Sequence, residues 1–206
     1  MFIVMAVRWT LVLSAVAFLG GAVGGLLIAL ARTSGSKALR RISAGFIQVF
    51  QGTPLLMQLF VVYFGLPLLG LAPPAWGAVA VALTAHASAF LGEIWRGAIQ
   101  AVPKGQSEAA HALGLDYRAR MRDVILPQAL RPVLPALGNY LISILKDTPV
   151  LSAITVVEIM QRAKNIGSES FRYLEPITMV GVFFLILSLG RAWCVRRLEH
   201  RMELAR

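Results

Sequence analysis

The sequence predicts an all-α membrane protein, and three features of its 206 residues support this class. Hydrophobic residues make up 57% of the chain and charged residues only 15%, whereas a soluble domain carries about a quarter charged residues. No Lys, Arg, Asp or Glu occurs between Ile42 and Gly92. That stretch far exceeds the ~20 apolar residues that cross a bilayer as a helix. The basic residues lie in short clusters between apolar segments, a placement that determines membrane orientation.

Five apolar segments are expected to be membrane spans within a single domain. Their ranges are residues 9–31, 45–69, 75–99, 123–145 and 176–195. The first is too long for the apolar region of a signal peptide, and its four glycines allow close helix approach, so we expect it to be retained. Pro67, Pro73 and Pro74 end the second span because proline lacks the backbone N–H that a helix needs.

The distribution of Lys and Arg predicts the orientation. Fifteen of the 20 basic residues lie after the first span, between the third and fourth spans, in the tail, or near the ends of the spans that border these segments, and five lie on the other side. The positive-inside rule therefore places the amino terminus outside, in the periplasm, and the carboxyl terminus in the cytoplasm. The apolar segment 148–160 is too short to cross twice and is expected to be partly buried on the external side, before a polar loop over 161–175; whether it is re-entrant is left open.

Charge and cysteine content exclude other classes. A net charge of +10 would suggest nucleic acid in a soluble chain, but no aromatic residues interleave with the basic clusters, so no nucleic-acid partner is expected. Cys194 is the only cysteine, and no Cys/His spacing indicates a metal site. Gly35, Ser36 and Lys37 lack the upstream glycine of a phosphate-binding loop. We therefore expect neither a bound metal nor a cofactor, and no enzyme activity in this chain.

The cytoplasmic loop between spans three and four predicts a short helix over about 104–117. Ser107 is expected to cap a helix that starts at Glu108, and Gly114 is expected to stop it. Ala109 and Ala110 would let a partner approach closely. Spacing alone leaves two alternatives equally open, a docking helix or a plain connecting helix.

Ionisable and polar residues near the spans are candidates for a substrate pathway, because placing such groups in a membrane costs free energy. His86 and Glu93 are seven residues apart and share one helix face. The alternative for Glu93 is an ion pair with Arg96, three residues on. Pro127, Pro132 and Pro135 are expected to bend or break the start of the fourth span.

Two further sets of polar residues have open alternatives. Asn139, Ser143 and Lys146 recur at helical spacing and either line the pathway or bond neighbouring helices. Glu158 either meets the ammonium group of an incoming amino acid or pairs with Arg162 at i+4.

The loop residues also carry a resemblance to a known family. Glu108-Ala109-Ala110, then Gly114, then Ile125-Leu126-Pro127 resembles the Glu-Ala-Ala loop of bacterial binding-protein-dependent importer permeases, with Val124 where that pattern has Ile. Segments 52–56, 63–67, 93–99 and 146–148 are similar to its polar amino acid branch.

The resemblance implies a fold, a function and partners. The fold would be that of a type I ABC importer permease in the bacterial inner membrane, and the function the passage of polar amino acids or related solutes. The partners would be two ATPase subunits that bind ATP and Mg²⁺, a second permease chain (identical or paralogous), a periplasmic or lipid-anchored substrate-binding protein, and membrane lipid. The residues that dock the ATPase subunit would be Glu108, Ala109, Ala110, Gly114 and Pro127. The alternatives are an ATP-independent secondary transporter or channel, which inverted repeats would support, and a scaffold subunit.

Overall fold

The computed structural model describes residues 2–203, and every regular element in that part of the chain is helical. The α-helices are α1 (Phe2–Thr33), α2 (Lys37–Gly52), α3 (Leu55–Phe60), α4 (Leu66–Leu68), α5 (Ala75–Ala101), α6 (Lys104–Ala112), α7 (Tyr117–Ala119), α8 (Leu126–Asp147), α9 (Ile159–Ser170) and α10 (Leu174–Glu203). Two π-helical turns, Val61–Gly65 and Arg120–Ile125, and one 3-10 helix, Thr148–Ile154, connect some of them.

By length and composition, two of these helices can each cross a membrane alone, Met5–Thr33 and Ala75–Ala101. The number rises to four when each of two bent helix pairs is counted as one span. A shorter apolar helical segment, Leu174–Gly190, lies where the fifth span is expected. Each expected span therefore overlaps a helix among residues 2–203, while the number of crossings and their direction stay predictions.

Helices α1 and α5 form the centre of the bundle and run parallel to each other. Successive positions along both helices meet in the same order: Trp9 contacts Trp76 at one end, with tilted rings whose centroids are 4.9 Å apart, and Arg32 reaches Glu93 near the other. Because both helices run the same way, the chain between them, α2 to α4, has to return along the bundle. Helix α8 packs antiparallel against α5 and completes the core.

Glycines allow the two central helices to approach until their backbones touch. A Cβ built on Gly25 would lie 2.8 Å from the backbone nitrogen of Gly92, and one on Gly20 would lie 2.8 Å from Cγ2 of Thr84. Gly21 and Gly24 would likewise overlap side chains of α5. Small residues permit such contact in membranes, where packing replaces the hydrophobic effect between helices. The expectation that these glycines allow close approach is confirmed.

The buried side chains form two main clusters along the bundle. One lies between α1, α3, α5 and the 3-10 helix and includes Leu13, Leu59, Leu91 and Leu151. The other lies where α5 meets Arg120–Ile125 and the first turns of α8; it contains Ala29, Trp95, Met121, Ile125 and Val133. The second cluster connects the central helices to the segment that follows α6.

The sequence suggested one continuous helix over residues 45–69, but the structure shows that this segment is broken. Helix α2 ends at Gly52, α3 begins at Leu55, and the chain bends by 107° between them. Pro54 explains the break, because it lacks an N–H and forces the preceding residue out of the helical region. Thr53 is accordingly extended, with φ −121° and ψ 144°.

Helix α8 is not broken at the prolines of the fourth span, whereas the expected bend there stays a prediction. Pro132 and Pro135 lie inside α8, which continues to Asp147. The backbone adjusts earlier, in the π-helical turn Arg120–Ile125, where the N–H of Leu126 bonds to the carbonyl of Met121 five residues back. Such a wider turn accommodates Pro127, whose ring would otherwise crowd the preceding turn of an α-helix. The π-helical turn Val61–Gly65 likewise comes just before a proline, Pro67, in the first turn of the next helix.

The segment 148–160 is partly buried, as expected, and the polar loop expected after it is largely a helix. Thr148–Ile154 is a 3-10 helix, and Thr155 ends it at a left-handed φ of 59°. Leu151 is fully buried. Helix α9 then occupies most of 161–175, so the prediction of a polar loop is wrong. The bend of 46° between this helical region and α9 fits either a broken span or a re-entrant segment, so re-entry stays a prediction.

Replacing Gly25 with Ala is expected to destabilise the protein by about 1–3 kcal/mol, because the added methyl group overlaps the Gly92 backbone in a packed seam. The better helix propensity of Ala, about 0.5–1 kcal/mol, acts in the opposite direction. Gly97 on α5 is the matched control: a Cβ there meets nothing within 4 Å, so Gly97→Ala is expected to be neutral or stabilising. Unfolding by dodecyl sulfate in mixed micelles measures both. Equal stabilities would contradict the tight seam.

Candidate functional site

Helix α6 is the helix expected over 104–117; it begins at the first residue of that range but ends earlier, at Ala112. It starts at Lys104, directly after Pro103. Val102 is extended, with φ −65° and ψ 129°, as expected for a residue that precedes proline. The proline therefore determines where the helix starts. The prediction that Ser107 caps a helix beginning at Glu108 is wrong, since Ser107 lies within the helix.

The predicted stop at Gly114 is confirmed. Gly114 adopts a left-handed φ of 76°, which glycine reaches without steric cost. The N–H of Leu115 donates to the carbonyl of Ala110 at 3.1 Å, and the N–H of Gly114 donates to His111 at 2.9 Å. These two bonds form a Schellman motif, which satisfies the last carbonyls of α6 and gives the helix a rigid end.

The Glu-Ala-Ala triplet divides between two faces of α6. Glu108 and Ala109 are exposed, whereas Ala110 is only 3% exposed and lies on the side that packs against Arg120–Ile125. Leu113 is 79% exposed next to these outward residues. Sequence reasoning missed Leu113, although a leucine directly before the helix-ending glycine of a polar loop is an available signal.

Pro127 lies where the start of α8 faces the start of α6. It borders a cleft of about 520 Å³ together with Pro103 and Arg131. The side-chain amide of Gln128 donates to Oε1 of Gln106 at 3.1 Å and to the carbonyl of Val124 at 2.8 Å. The two helices are therefore connected directly, so a displacement of α6 acts on α8.

Glu93 forms the ion pair that was one of its two expected roles. Arg96 donates to its Oε2 at 2.6 Å, and Arg32 from α1 approaches Oε1 at 3.6 Å. Arg96 also donates to Gln100 at 2.6 Å. The carboxylate is about a quarter exposed. The ion pair with Arg96 is confirmed, and Arg32 is a partner that sequence spacing cannot reveal because it comes from another helix.

His86 occupies a separate polar site at the break between α2 and α3. Its Nδ1 lies 2.9 Å from Oε1 of Gln58. The amide nitrogen of Gln58 already donates to the carbonyls of Phe50 and Thr53, at 2.7 and 3.0 Å. Oε1 is therefore the acceptor, so Nδ1 of His86 carries the proton and Nε2 is available to a ligand.

Aromatic rings surround this histidine. Phe90 lies 4.7 Å from the His86 ring, centroid to centroid, and stacks on Tyr140 of α8 at 5.7 Å. The Tyr140 hydroxyl is buried and has no hydrogen-bond partner within the described part of the chain. His86 and Glu93 share α5, but their side chains have different partners. Gln58 and Tyr140 join the candidate site only through the tertiary structure, whereas Phe90 follows His86 by four residues on the same helix.

Helix α8 presents a polar stripe away from the core. Asn139, Ser143 and Lys146 are all exposed, and they follow one another at intervals of four and three residues. Val133 and Ile144 on the opposite side are buried. The three residues therefore share one outward face, as their spacing predicted.

Glu158 has a structural role that neither expectation included. It is fully buried and caps α9, because its two carboxylate oxygens accept the N–H groups of Met160 and Gln161 at 2.8 and 2.7 Å. The N–H of Ile159 donates to Oγ1 of Thr10, which ties this cap to α1. In this conformation the carboxylate does not face an incoming solute.

Comparisons with known proteins identify close relatives. The family described as binding-protein-dependent transport system inner membrane component matches residues 21–204. A probable amino-acid ABC transporter permease protein of Sinorhizobium fredii is 45% identical over 87% of this chain and 79% of the relative. The glutamine transport system permease protein GlnP of Escherichia coli is 39% identical over 96% and 91%.

A solved structure agrees with these relatives. A chain in the crystal structure of an amino acid ABC transporter with histidines is 37% identical and superposes with a TM-score of 0.89, covering 97% of this chain and 93% of that one. The predicted fold, that of an ABC importer permease, is confirmed.

Replacing Glu93 with Gln is expected to destabilise the protein by about 1–3 kcal/mol, because Arg32 and Arg96 lose their shared carboxylate. This loss of stability lies between the values for exposed and for buried ion pairs, since Glu93 is about a quarter exposed. The double variant Glu93→Gln/Arg96→Gln removes both charges and should be less destabilised than the sum of its single variants. If unfolding in dodecyl sulfate shows that the stability losses of the two single variants simply add in the double variant, the Glu93–Arg96 pair does not contribute to stability.

Proposed function

The chain belongs to the family of binding-protein-dependent transport system inner membrane components, and from this we propose how it couples ATP hydrolysis in a partner to solute passage. It is the transmembrane subunit of an amino acid ABC importer. The observation that carries the proposal is α6, an exposed helix with a rigid end that is joined to a core helix. No feature of the described residues favours the ATP-independent channel considered above.

Helix α6 serves as the docking element for the ATPase subunit. Glu108 and Ala109 face outward, and the small alanine side chain lets a partner groove come close to the helix backbone. Leu113 adds an exposed apolar contact. Ala110 and Gln106 hold the helix to the bundle on its other side. These features support a rigid helix that a partner can bind and move without unfolding it.

Movement of α6 reaches the membrane through Arg120–Ile125. This turn packs against α6 and contributes Met121 and Ile125 to the buried cluster that includes Trp95 of α5. Pro127 lies in the first turn of the next helix, α8, at the edge of the cleft. Closure of two ATPase subunits would therefore shift the inner end of α8 relative to α5. In a membrane importer that shift alternately opens the pathway to either side.

The polar stripe of α8 lines the pathway. Asn139, Ser143 and Lys146 would each cost free energy if they faced lipid, because hydrocarbon offers no hydrogen-bond partners. They face outward from this chain, so another protein surface or water has to cover them. A second permease chain, identical or paralogous, supplies that surface and encloses the route between the two α8 helices. His86, through its free Nε2, is the candidate contact deeper in the bundle.

The substrate is a polar amino acid or a related small solute. Two relatives are named for amino-acid and for glutamine transport. The stripe combines an amide, a hydroxyl and the ammonium group of Lys146, which suit the carboxylate and polar side chain of such a solute. A substrate-binding protein, periplasmic or lipid-anchored, would deliver the solute on the outer side. The complex lies in the bacterial inner membrane, with the amino terminus outside and α6 in the cytoplasm.

Replacing Gly114 with Val is expected to reduce recovery of the ATPase subunit in co-purification about five- to thirtyfold. Valine is strained by about 1–2 kcal/mol at a left-handed φ, so the end of α6 has to rearrange. The matched control is Gly114→Asn, because asparagine tolerates this conformation. Full recovery of the ATPase with the valine variant would show that docking does not depend on the end of α6.

Cysteine labelling tests the polar stripe. In a Cys194→Ser background, Asn139→Cys within the assembled complex is expected to react with a charged thiol reagent at least about tenfold faster than Val23→Cys, because only water-exposed thiols ionise readily. Val23 is the control since it is an apolar residue of α1 with 65% exposure. Slow labelling at both positions would indicate a dry contact between chains and would contradict an aqueous pathway along α8.

A further inference from the structure

A basic pocket lies at the corner where α1 ends and α2 begins. It has a volume of about 400 Å³, and its lining residues are Arg32, Lys37, Arg40, Arg41 and Ala44. The three basic residues of α2 follow one another at intervals of three and one, so they share a single helix face. The mechanism proposed above assigns no role to this cluster.

The pocket carries an uncompensated positive charge. Arg32 is held by Glu93, 3.6 Å away, and the guanidinium of Arg40 donates to the carbonyl of Ser34 at 3.4 Å. Neither Lys37 nor Arg41 has an ion-pair partner within the described part of the chain. Four cations around one carboxylate favour an anionic ligand. The amino-terminal end of α2 adds the positive end of a helix dipole.

The other exposed face of α2 is apolar. Ile42 is 71% exposed, Val49 59% and Leu39 49%. A helix with a basic face and an exposed apolar face is typical of segments that lie at a membrane surface, with the apolar side among acyl chains. A soluble anion bound in the pocket would not cover these exposed apolar side chains. The combination therefore favours a lipid over a free metabolite.

We propose that the pocket formed by Arg32, Lys37, Arg40 and Arg41 binds the phosphate headgroup of an anionic phospholipid. Basic pockets between helix ends on the cytoplasmic side of membrane proteins bind such headgroups. Bound there, the lipid fixes the corner between α1 and α2 at the membrane surface. That corner then stays in place while α6, in a different loop, moves with its partner.

The test uses the permease purified together with its ATPase subunit and reconstituted in nanodiscs of phosphatidylcholine with one quarter phosphatidylglycerol. Native mass spectrometry after extraction counts the retained phosphatidylglycerol. The variant Arg40→Gln/Arg41→Gln is expected to weaken retention about 25-fold, roughly fivefold for each charge removed. The matched control, Arg118→Gln/Arg122→Gln, removes two exposed charges from another loop and should retain lipid like the parent protein.

Three outcomes would overturn the proposal. Equal lipid retention in both variants would show that the pocket does not select the headgroup. Displacement of the lipid by millimolar inorganic phosphate would identify a site for a free anion. Loss of the ATPase or of the second permease chain from Arg40→Gln/Arg41→Gln, with lipid retained, would identify the cluster as a protein interface.

Discussion

The close contact between α1 and α5 is the constraint on which the rest of the molecule depends. Lipid tails are as apolar as leucine, so helices in a membrane associate through packing and not through the hydrophobic effect. Glycines on α1 bring its backbone against Gly92 of α5. Because these two helices are parallel, the chain between them has to return along the bundle. The positions of α2 to α4, and of α8 on the free side of α5, follow from that arrangement.

Prolines and glutamines together determine where the bundle departs from regular helix. Pro54 breaks the returning segment, and the amide of Gln58, which follows the break, donates to the carbonyls of Phe50 and Thr53, which precede Pro54. The same residue uses its oxygen to hold His86. A backbone defect and a candidate ligand-binding histidine therefore depend on one side chain. At the start of α8, Gln128 has a related role: it connects the turn before Pro127 with α6.

The chain separates parts that have to be rigid from parts that face a partner. The Schellman end at Gly114, the buried Ala110 and the Glu93 ion pairs hold fixed geometry at the end of the bundle where α6 lies. The outward residues of α6 and the polar stripe of α8 make few contacts within the chain. An incomplete polar surface on a membrane helix indicates that the functional unit includes more than one chain, and this agrees with a family of multi-subunit importers.

The sequence by itself determined the membrane class, the approximate places of the helices, the stop at Gly114 and the outward stripe of α8. These follow from local rules, since length, helical period and the special φ of glycine act within a few residues. Only the tertiary structure decided the break at Pro54, the unbroken course of α8 through Pro132 and Pro135, and the partners of His86, Glu93 and Glu158. Each of those depends on which distant segment supplies a donor, an acceptor or space, and spacing along one chain carries no such information.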